Sequence, residues 1–189
     1  MARRSRIPRR RRFFVGCEGE SEQGYAAMLQ EFANQNGLAI HLDTKVMSKA
    51  GDPLALIERA QAAITQGERG AKPPYVERFL LLDTDLIGQN PDRDTRMLQK
   101  AEQSNLMLVR QHCCFEAFLL RHFDGHANDN PPTATVALDR LIEIWPQYKK
   151  GTPAQELAKR LTFEDVLKAA ENPQNADFAR FFRALRLII

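Results

Sequence analysis

The chain has 189 residues, of which 43% are hydrophobic and 27% charged, with a formal net charge of +3. These values are ordinary for a soluble protein of one domain with a sizeable core. No apolar run approaches the roughly 18 residues that span a bilayer, and the N-terminus lacks an apolar secretory segment. The three cysteines cannot all pair with one another, which favours a reducing compartment. We therefore expect a cytoplasmic protein with no membrane partner.

Basic charge is concentrated at the N-terminus. Residues 1–12 carry seven arginines, and without them the acidic residues outnumber the basic ones. Because like charges repel and this segment has little to bury, we expect a disordered basic tail. Such an arm attracts phosphate backbones without reading base sequence, which favours nucleic acid as a partner. A solubilising tail, a targeting segment or an overextended start would explain the same residues.

The first half of the chain alternates short apolar runs with helical patterns. The first predicted strand covers 13–17. Ser21 is the predicted N-cap of a helix through residue 33, in which Tyr25 and Phe32 lie on the buried face. The pattern then predicts a strand over 38–46, a helix that begins at Asp52-Pro53, and a strand that begins at Phe79.

The second half of the chain begins with a polar segment, 88–95, which we expect to be a loop. The Gly- and Pro-containing segment 125–132 ends a short helix. The elements predicted in this half are a helix over 97–102, a strand over 105–109, and helices over 115–122, 136–145, 153–160, 163–170 and 176–187.

Strands separated by helices are typical of right-handed crossovers and a mostly parallel sheet. We therefore expect an α/β domain over 13–132, in which helices flank the sheet, and a C-terminal helical extension over 133–189 packed on it. The last helix carries an apolar stripe that would suit either the core or a dimer surface, so a homo-oligomer stays open. The stripe consists of Phe178, Phe181, Phe182 and Leu185.

Acidic residues stand where the predicted strands end. Glu18 follows the first strand, and Asp83 and Asp85 follow the apolar run 79–82. Alternate residues of a strand share a side, and the carboxyl ends of parallel strands meet at one edge of the sheet. If the first and third strands are neighbours, these three carboxylates form one cluster of oxygen ligands, which suits Mg²⁺ or Mn²⁺. Solvated loop residues would give the same short motif.

Several segments together carry a resemblance to a known family. They are Cys17-Glu18-Gly19-Glu20-Ser21-Glu22-x-x-Tyr25, Leu82-Asp83-x-Asp85, Cys114-Phe115-Glu116-x-Phe118-Leu119-Leu120-x-His122-Phe123 and Tyr148-x-Lys150. In order and spacing they resemble the RloB-like proteins, a Toprim-related family encoded beside restriction-modification and other phage-defence genes. The resemblance covers most of residues 13–151 and implies a Toprim-like, Rossmann-like sheet.

The resemblance also implies roles for the acidic strand ends. Toprim nucleases hold a divalent metal at a phosphodiester with a first glutamate and a pair of aspartates. These roles fall on Glu18, Asp83 and Asp85 of this chain. Such a metal neutralises charge on the phosphate and can lower the pKa of a bound water.

Other polar residues of the motifs have both functional and structural interpretations. Glu22 and Glu116 are candidates for a second metal or for a general base, but each would also complement a helix dipole. Lys150 could stabilise developing phosphate charge, but it would also suit an exposed turn. His122 lies on an apolar helical face, where a hydrogen-bonded core residue is more usual than a catalyst.

The predicted function is a Mg²⁺-dependent nuclease, or a related phosphotransfer enzyme, that acts on nucleic acid in phage defence. A ribonuclease of RNA maturation would use the same chemistry. The alternative is a metal- or nucleotide-binding sensor or adaptor without turnover, which would act with partner proteins of a defence complex. The acidic body of the chain favours this alternative, because nucleases usually surround their carboxylates with positive charge.

Overall fold

The computed structural model of the protein describes residues 10–47 and 51–188. Within these residues the strands are β1 (Arg11–Cys17), β2 (Ile40–Val46), β3 (Glu77–Asp83) and β4 (Leu106–Gln111). They form one sheet in the order β2-β1-β3-β4, and every pairing is parallel. The expected α/β fold with a parallel sheet is confirmed.

Helices cover both faces of the sheet. None of those in the described ranges is long and apolar enough to cross a bilayer. The helices are α1 (Glu20–Gln35), α2 (Pro53–Gly67), α3 (Pro91–Gln103), α4 (Phe115–Leu120), α5 (Ala134–Ile144), α6 (Ala154–Arg160), α7 (Phe163–Glu171) and α8 (Ala176–Leu185), with a single 3₁₀ turn at Pro173–Asn175 before α8.

Alternate residues of the central strands bury opposite faces of the sheet. Phe79 and Leu81 of β3 belong to the larger core, which also contains residues of α1 and α8. Leu80 and Leu82 belong to a second core, formed with α2 and α3. Because both faces of β3 are buried, its sequence is a continuous apolar run. Cys17 lies in the larger core, and Cys113 and Cys114 lie in a smaller cluster at α4; all three are free, buried thiols.

The apolar stripe of α8 packs on the sheet. All four of its side chains are fully buried. The ring centroid of Phe181 lies 4.7 Å from that of Phe79, and Phe178 stacks on Phe118 of α4. Of the two roles that the sequence left open for this stripe, the structure shows packing in the core.

The starts of α1 and α3 differ from the prediction in ways that the caps explain. Ser21 is not the N-cap of α1, since Gly19 is the N-cap and the helix begins at Glu20, two residues earlier than an N-cap at Ser21 predicts. The helix α3 begins at Pro91, inside the segment that was predicted to be a loop. The Asn90 side chain accepts a hydrogen bond from the Arg93 backbone N–H at 3.0 Å, and proline suits the first helical turn. The polar composition of the segment led to the prediction of a loop, so this capped helix start was not predicted.

The boundary of the basic tail was also wrong. Residues 1–9 lie outside the described part of the chain, but Arg11 and Arg12 are the first two residues of β1. The Arg12 side chain is 7% exposed and forms an ion pair with the Asp43 carboxylate. It also donates to the Tyr75 hydroxyl at 2.8 Å. These contacts hold Arg12 in the fold rather than leaving it free to bind a polyanion.

Candidate functional site

Strands β1, β3 and β4 end at the same edge of the sheet. Glu18 directly follows β1, Asp83 ends β3 and Gln111 ends β4. β1 and β3 are neighbours, as the sequence argument required. The Glu18 carboxylate accepts a hydrogen bond from the Asp83 backbone N–H, with Oε2 2.9 Å from the nitrogen. One predicted site carboxylate therefore joins the two strand ends.

A pocket of about 290 Å³ opens at this edge. Five of the six residues that the sequence predicted for the site line it, and Asp85 is the exception. The complete lining is Glu18, Gly19, Glu20, Ser21, Glu22, Asp83, Phe115, Glu116, Lys150 and Gly151.

Asp85 differs from the prediction. β3 ends at Asp83, so Asp85 lies in the following turn and the alternation of a strand does not extend to it. Its side chain is exposed. Its negative charge nevertheless contributes to raising the pKa values of Glu18 and Asp83. The strand geometry predicted for the aspartate pair was wrong, and Asp85 is an exposed neighbour of the pocket.

Burial dominates the electrostatics of the pocket carboxyl groups. Burial, and then the negative charges of Glu22 and Glu18, raise the pKa of Asp83 to about 9. Burial also raises the pKa of Glu22 to about 7, although the Gly19 N–H donates to its Oε2 at 3.0 Å. The pKa of Glu18 is raised by burial as well. Carboxyl groups that retain protons near neutral pH become negatively charged when a cation displaces those protons.

Gln111 lies between Asp83 and Glu22. Its side chain is 1% exposed, and one of its two terminal atoms lies 2.8 Å from Asp83 Oδ1 and 3.1 Å from Glu22 Oε1. An amide oxygen in that position would face two carboxyl oxygens, whereas placing Nε2 there satisfies both contacts, so we assign the atom as Nε2, which donates to both carboxyl groups. The sequence analysis missed Gln111, which lies two residues beyond the strand predicted over 105–109, whereas β4 extends to it.

Glu116 and Lys150 meet on the other side of the pocket. Glu116 stands in the first turn of α4, and its side chain is 3% exposed. The Tyr148 hydroxyl donates to Glu116 Oε1 at 3.2 Å, and Lys150 Nζ lies 3.7 Å from the same oxygen. The Lys150 side chain is 64% exposed. Lys150 therefore lines the pocket while its ammonium group stays accessible to a ligand from solvent.

The loop that carries Lys150 is fixed to the start of α1. The Gly151 backbone N–H donates to Ser21 Oγ at 2.9 Å. A Cβ atom at Gly24 would lie 2.5 Å from the Thr152 carbonyl oxygen, so glycine allows the loop to approach the helix closely. This contact explains the role of Ser21, and it brings residues 130 positions apart into one site.

The carboxylates supply suitable donors but not a closed set of ligands. Carboxylate oxygen is the donor that hard divalent cations prefer. Within residues 10–47 and 51–188, however, no three or more His, Cys, Asp or Glu side chains are arranged as a metal-binding group. The side chains described here therefore present an incomplete coordination shell.

Comparison with known families agrees with the motifs. The family model of the RloB-like proteins matches residues 13–179, which include the whole pocket. The chain belongs to the RloB-like family. No curated protein and no solved structure matches it.

In this RloB-like chain, His122 is a residue of the core. It is 4% exposed, and its Nε2 lies 2.8 Å from the Tyr25 hydroxyl. Its Nδ1 lies 3.1 Å from the Phe118 carbonyl oxygen, which can only accept, so Nδ1 carries the proton. Burial lowers the pKa of His122 to about 4, which keeps the ring neutral. The structural interpretation of this histidine is confirmed.

Proposed function

We propose that this RloB-like protein is a divalent-metal-dependent nuclease. The observation that carries the proposal is one pocket in which buried and half-buried carboxyl groups from separate parts of the chain face an accessible lysine. Glu18, Asp83 and Glu116 come from the ends of β1 and β3 and from α4, and Lys150 comes from a loop. Carboxylates that can hold a divalent cation, beside a basic group that can contact phosphate, suit metal-assisted phosphodiester hydrolysis.

The donor set fits Mg²⁺ or Mn²⁺. Glu18, Asp83 and Glu116 each have one oxygen engaged in a hydrogen bond within the protein. Their other oxygens have no hydrogen-bond donor among the residues that the structure describes, so they are available as ligands. Mg²⁺ commonly binds one or two carboxylates and completes its shell with water and substrate phosphate, so an incomplete set suits it. When bound, the metal would neutralise phosphate charge and lower the pKa of a bound water.

The remaining pocket groups would act on the substrate and the proton. Lys150 Nζ sits on a flexible stem at the exposed side of the pocket and would contact a non-bridging phosphate oxygen. Glu22 has a pKa of about 7, which suits a general base that must accept a proton at neutral pH. Asp85, in the exposed turn, would reach the metal only as a further ligand or through water.

Nucleic acid is the proposed substrate. Its phosphodiester provides the oxygens that an incomplete metal shell lacks, and the basic N-terminal residues would favour its approach. The family resemblance, with its link to restriction and phage-defence genes and to Toprim nucleases, supports a cytoplasmic role in antiviral defence.

The open ligand set also supports a second candidate function. A metal- or nucleotide-binding adaptor of a defence complex needs the pocket but no turnover. In that case, the raised carboxyl pKa values would tune metal binding alone.

Cleavage assays distinguish the two functions. Labelled single-stranded DNA, duplex DNA and RNA would be incubated with the wild type and with Mg²⁺, Mn²⁺ or a chelator. We expect metal-dependent cleavage that falls at least about 100-fold in Asp83→Asn and about 10-fold or more in Lys150→Met. Asp139→Asn, an exposed carboxylate of α5, serves as the matched control.

Calorimetric titration of Mn²⁺ separates the negative outcomes. Binding that is lost in Asp83→Asn, without cleavage of any nucleic acid, would favour the adaptor. Absence of Mn²⁺ binding, both alone and with a non-hydrolysable oligonucleotide, would overturn both proposals.

A further inference from the structure

We propose that Gln111 is a positioning residue of the site, whose amide holds Asp83 and Glu22 in the arrangement that accepts a metal. This inference rests on the proposed function, because it concerns how the same pocket binds its cation. No motif of the sequence marks this glutamine, and it is not one of the residues that line the pocket.

The geometry of Gln111 is specific. It is the strand partner of Asp83 in the β3–β4 ladder, so the two side chains lie on the same face of the sheet. Its Nε2 donates to Asp83 Oδ1 at 2.8 Å and to Glu22 Oε1 at 3.1 Å. Both contacts occur where the glutamine is 1% exposed, so water does not compete for them.

The backbone of Gln111 fixes the same strand end. Its carbonyl oxygen accepts from the Thr84 backbone N–H at 3.2 Å and lies 3.3 Å from Thr84 Oγ1. Thr84 directly follows Asp83, so the main chain beside this carboxylate is tied to β4. One residue therefore orients Asp83 from two directions.

The amide also determines which oxygens remain available. Gln111 engages Oδ1 of Asp83, while the Gly19 N–H and Gln111 engage the two oxygens of Glu22. Oδ2 of Asp83 is left without a hydrogen-bond donor from the described residues, and it is the atom we assign as the ligand. Without the amide, the two carboxyl groups would repel each other and rotate apart once a bound cation displaces their protons. Groups that orient metal ligands typically change metal affinity by about 10- to 100-fold when they are removed.

Gln111→Met tests the inference, because methionine has a similar length and no hydrogen-bond donor. Mn²⁺ affinity would be measured by electron paramagnetic resonance, and melting temperature would be measured in chelator. Gln61→Met is the control, since Gln61 is a half-buried glutamine whose amide contacts Lys100 O and Ser104 Oγ far from the pocket. We expect Gln111→Met to weaken Mn²⁺ binding about 10- to 100-fold, and Gln61→Met to leave it within about twofold of the wild type. Gln111→Asn keeps an amide on a shorter stem, so we expect a smaller loss, which can be measured even if the methionine variant folds poorly.

A second background separates positioning from a general structural defect. In a Glu22→Met protein residue 22 offers no acceptor to the Gln111 amide, so the bridge is already broken on one side and Gln111→Met should cost much less Mn²⁺ affinity than it does in the wild type. An equal loss in both backgrounds would overturn the positioning role, as would wild-type affinity in folded Gln111→Met. If the wild type binds no Mn²⁺, with or without oligonucleotide, the proposed function fails and this inference fails with it.

Discussion

Replacing Asp83 with asparagine is expected to stabilise the protein at alkaline pH while removing its affinity for metal. The Asp83 carboxyl lies beside Glu22, Glu18 and Glu116, and desolvation together with their negative charges raises its pKa from 3.8 to about 9. The unfolded chain ionises this group above pH 4, whereas the folded chain keeps its proton until the pH approaches 9. Stability is therefore lost as the pH rises through this window. Asparagine has no such penalty and can still accept the Gln111 hydrogen bond.

The pKa shift sets the size of the effect. At pH 8, four units above the unfolded value, a single isolated group would cost about 6 kcal/mol. Asp83 and Glu22 lie close together, and coupled carboxyl groups titrate together. Removing one of them therefore recovers only part of the lost free energy of unfolding. We expect Asp83→Asn to raise the free energy of unfolding by about 2–4 kcal/mol at pH 8, and by about half as much at pH 5.5.

Urea unfolding followed by circular dichroism, in the presence of a chelator, measures this gain. Asp139→Asn is the control for the loss of one exposed negative charge. Mn²⁺ should stabilise the wild type but not Asp83→Asn, so that the difference between the two narrows as metal is added. The reasoning would be refuted by an Asp83→Asn protein that is less stable than the wild type at pH 8, or by a gain that does not grow between pH 5.5 and pH 8.

Three further predictions concern the core and the pocket loop. The pKa of His122 is lowered from 6.5 to about 4, so the folded protein resists protonation of this ring. The wild type should therefore lose about 3 kcal/mol of its free energy of unfolding as the pH falls from 6.5 to 4. The His122→Gln protein should lack that part of the acid sensitivity in parallel urea titrations. Phe181→Ala removes a fully buried ring packed on Phe79, so unfolding should become easier by about 3–5 kcal/mol in urea; a cost below 1 kcal/mol would contradict the packing of α8. Tyr148→Phe leaves Glu116 without its hydroxyl donor, and we expect Mn²⁺ affinity to fall about 10-fold with little change in fold; an unchanged affinity would remove Tyr148 from the site.

Much of the fold can be predicted from local patterns. The apolar run 79–82 predicted a strand buried on both faces, and it is one, because consecutive apolar residues need cores on both sides of the sheet. Helical spacing predicted the stripe of α8 in the same way. The predictions failed where a single hydrogen bond decides the outcome, as with the Asn90 cap that starts α3 and the Arg12 contacts that draw part of the tail into β1.

The sequence by itself determined which residues could provide the chemistry. Carboxylates placed after strands, and the spacing of the family motifs, indicated Glu18, Asp83 and Glu116 before any distance was known. Parallel strands end at a common edge, so position along the chain already predicts proximity for such residues.

Only the tertiary structure decided how these groups interact. It brought Lys150 to Glu116 through the Ser21–Gly151 contact, placed Asp85 outside the pocket, and inserted the Gln111 amide between two carboxyl groups. Hydrogen bonds and desolvation depend on distances of a few ångströms between residues that are far apart in the chain. Sequence patterns describe neighbours along the chain, and these contacts are fixed only when the strands pair and the helices pack.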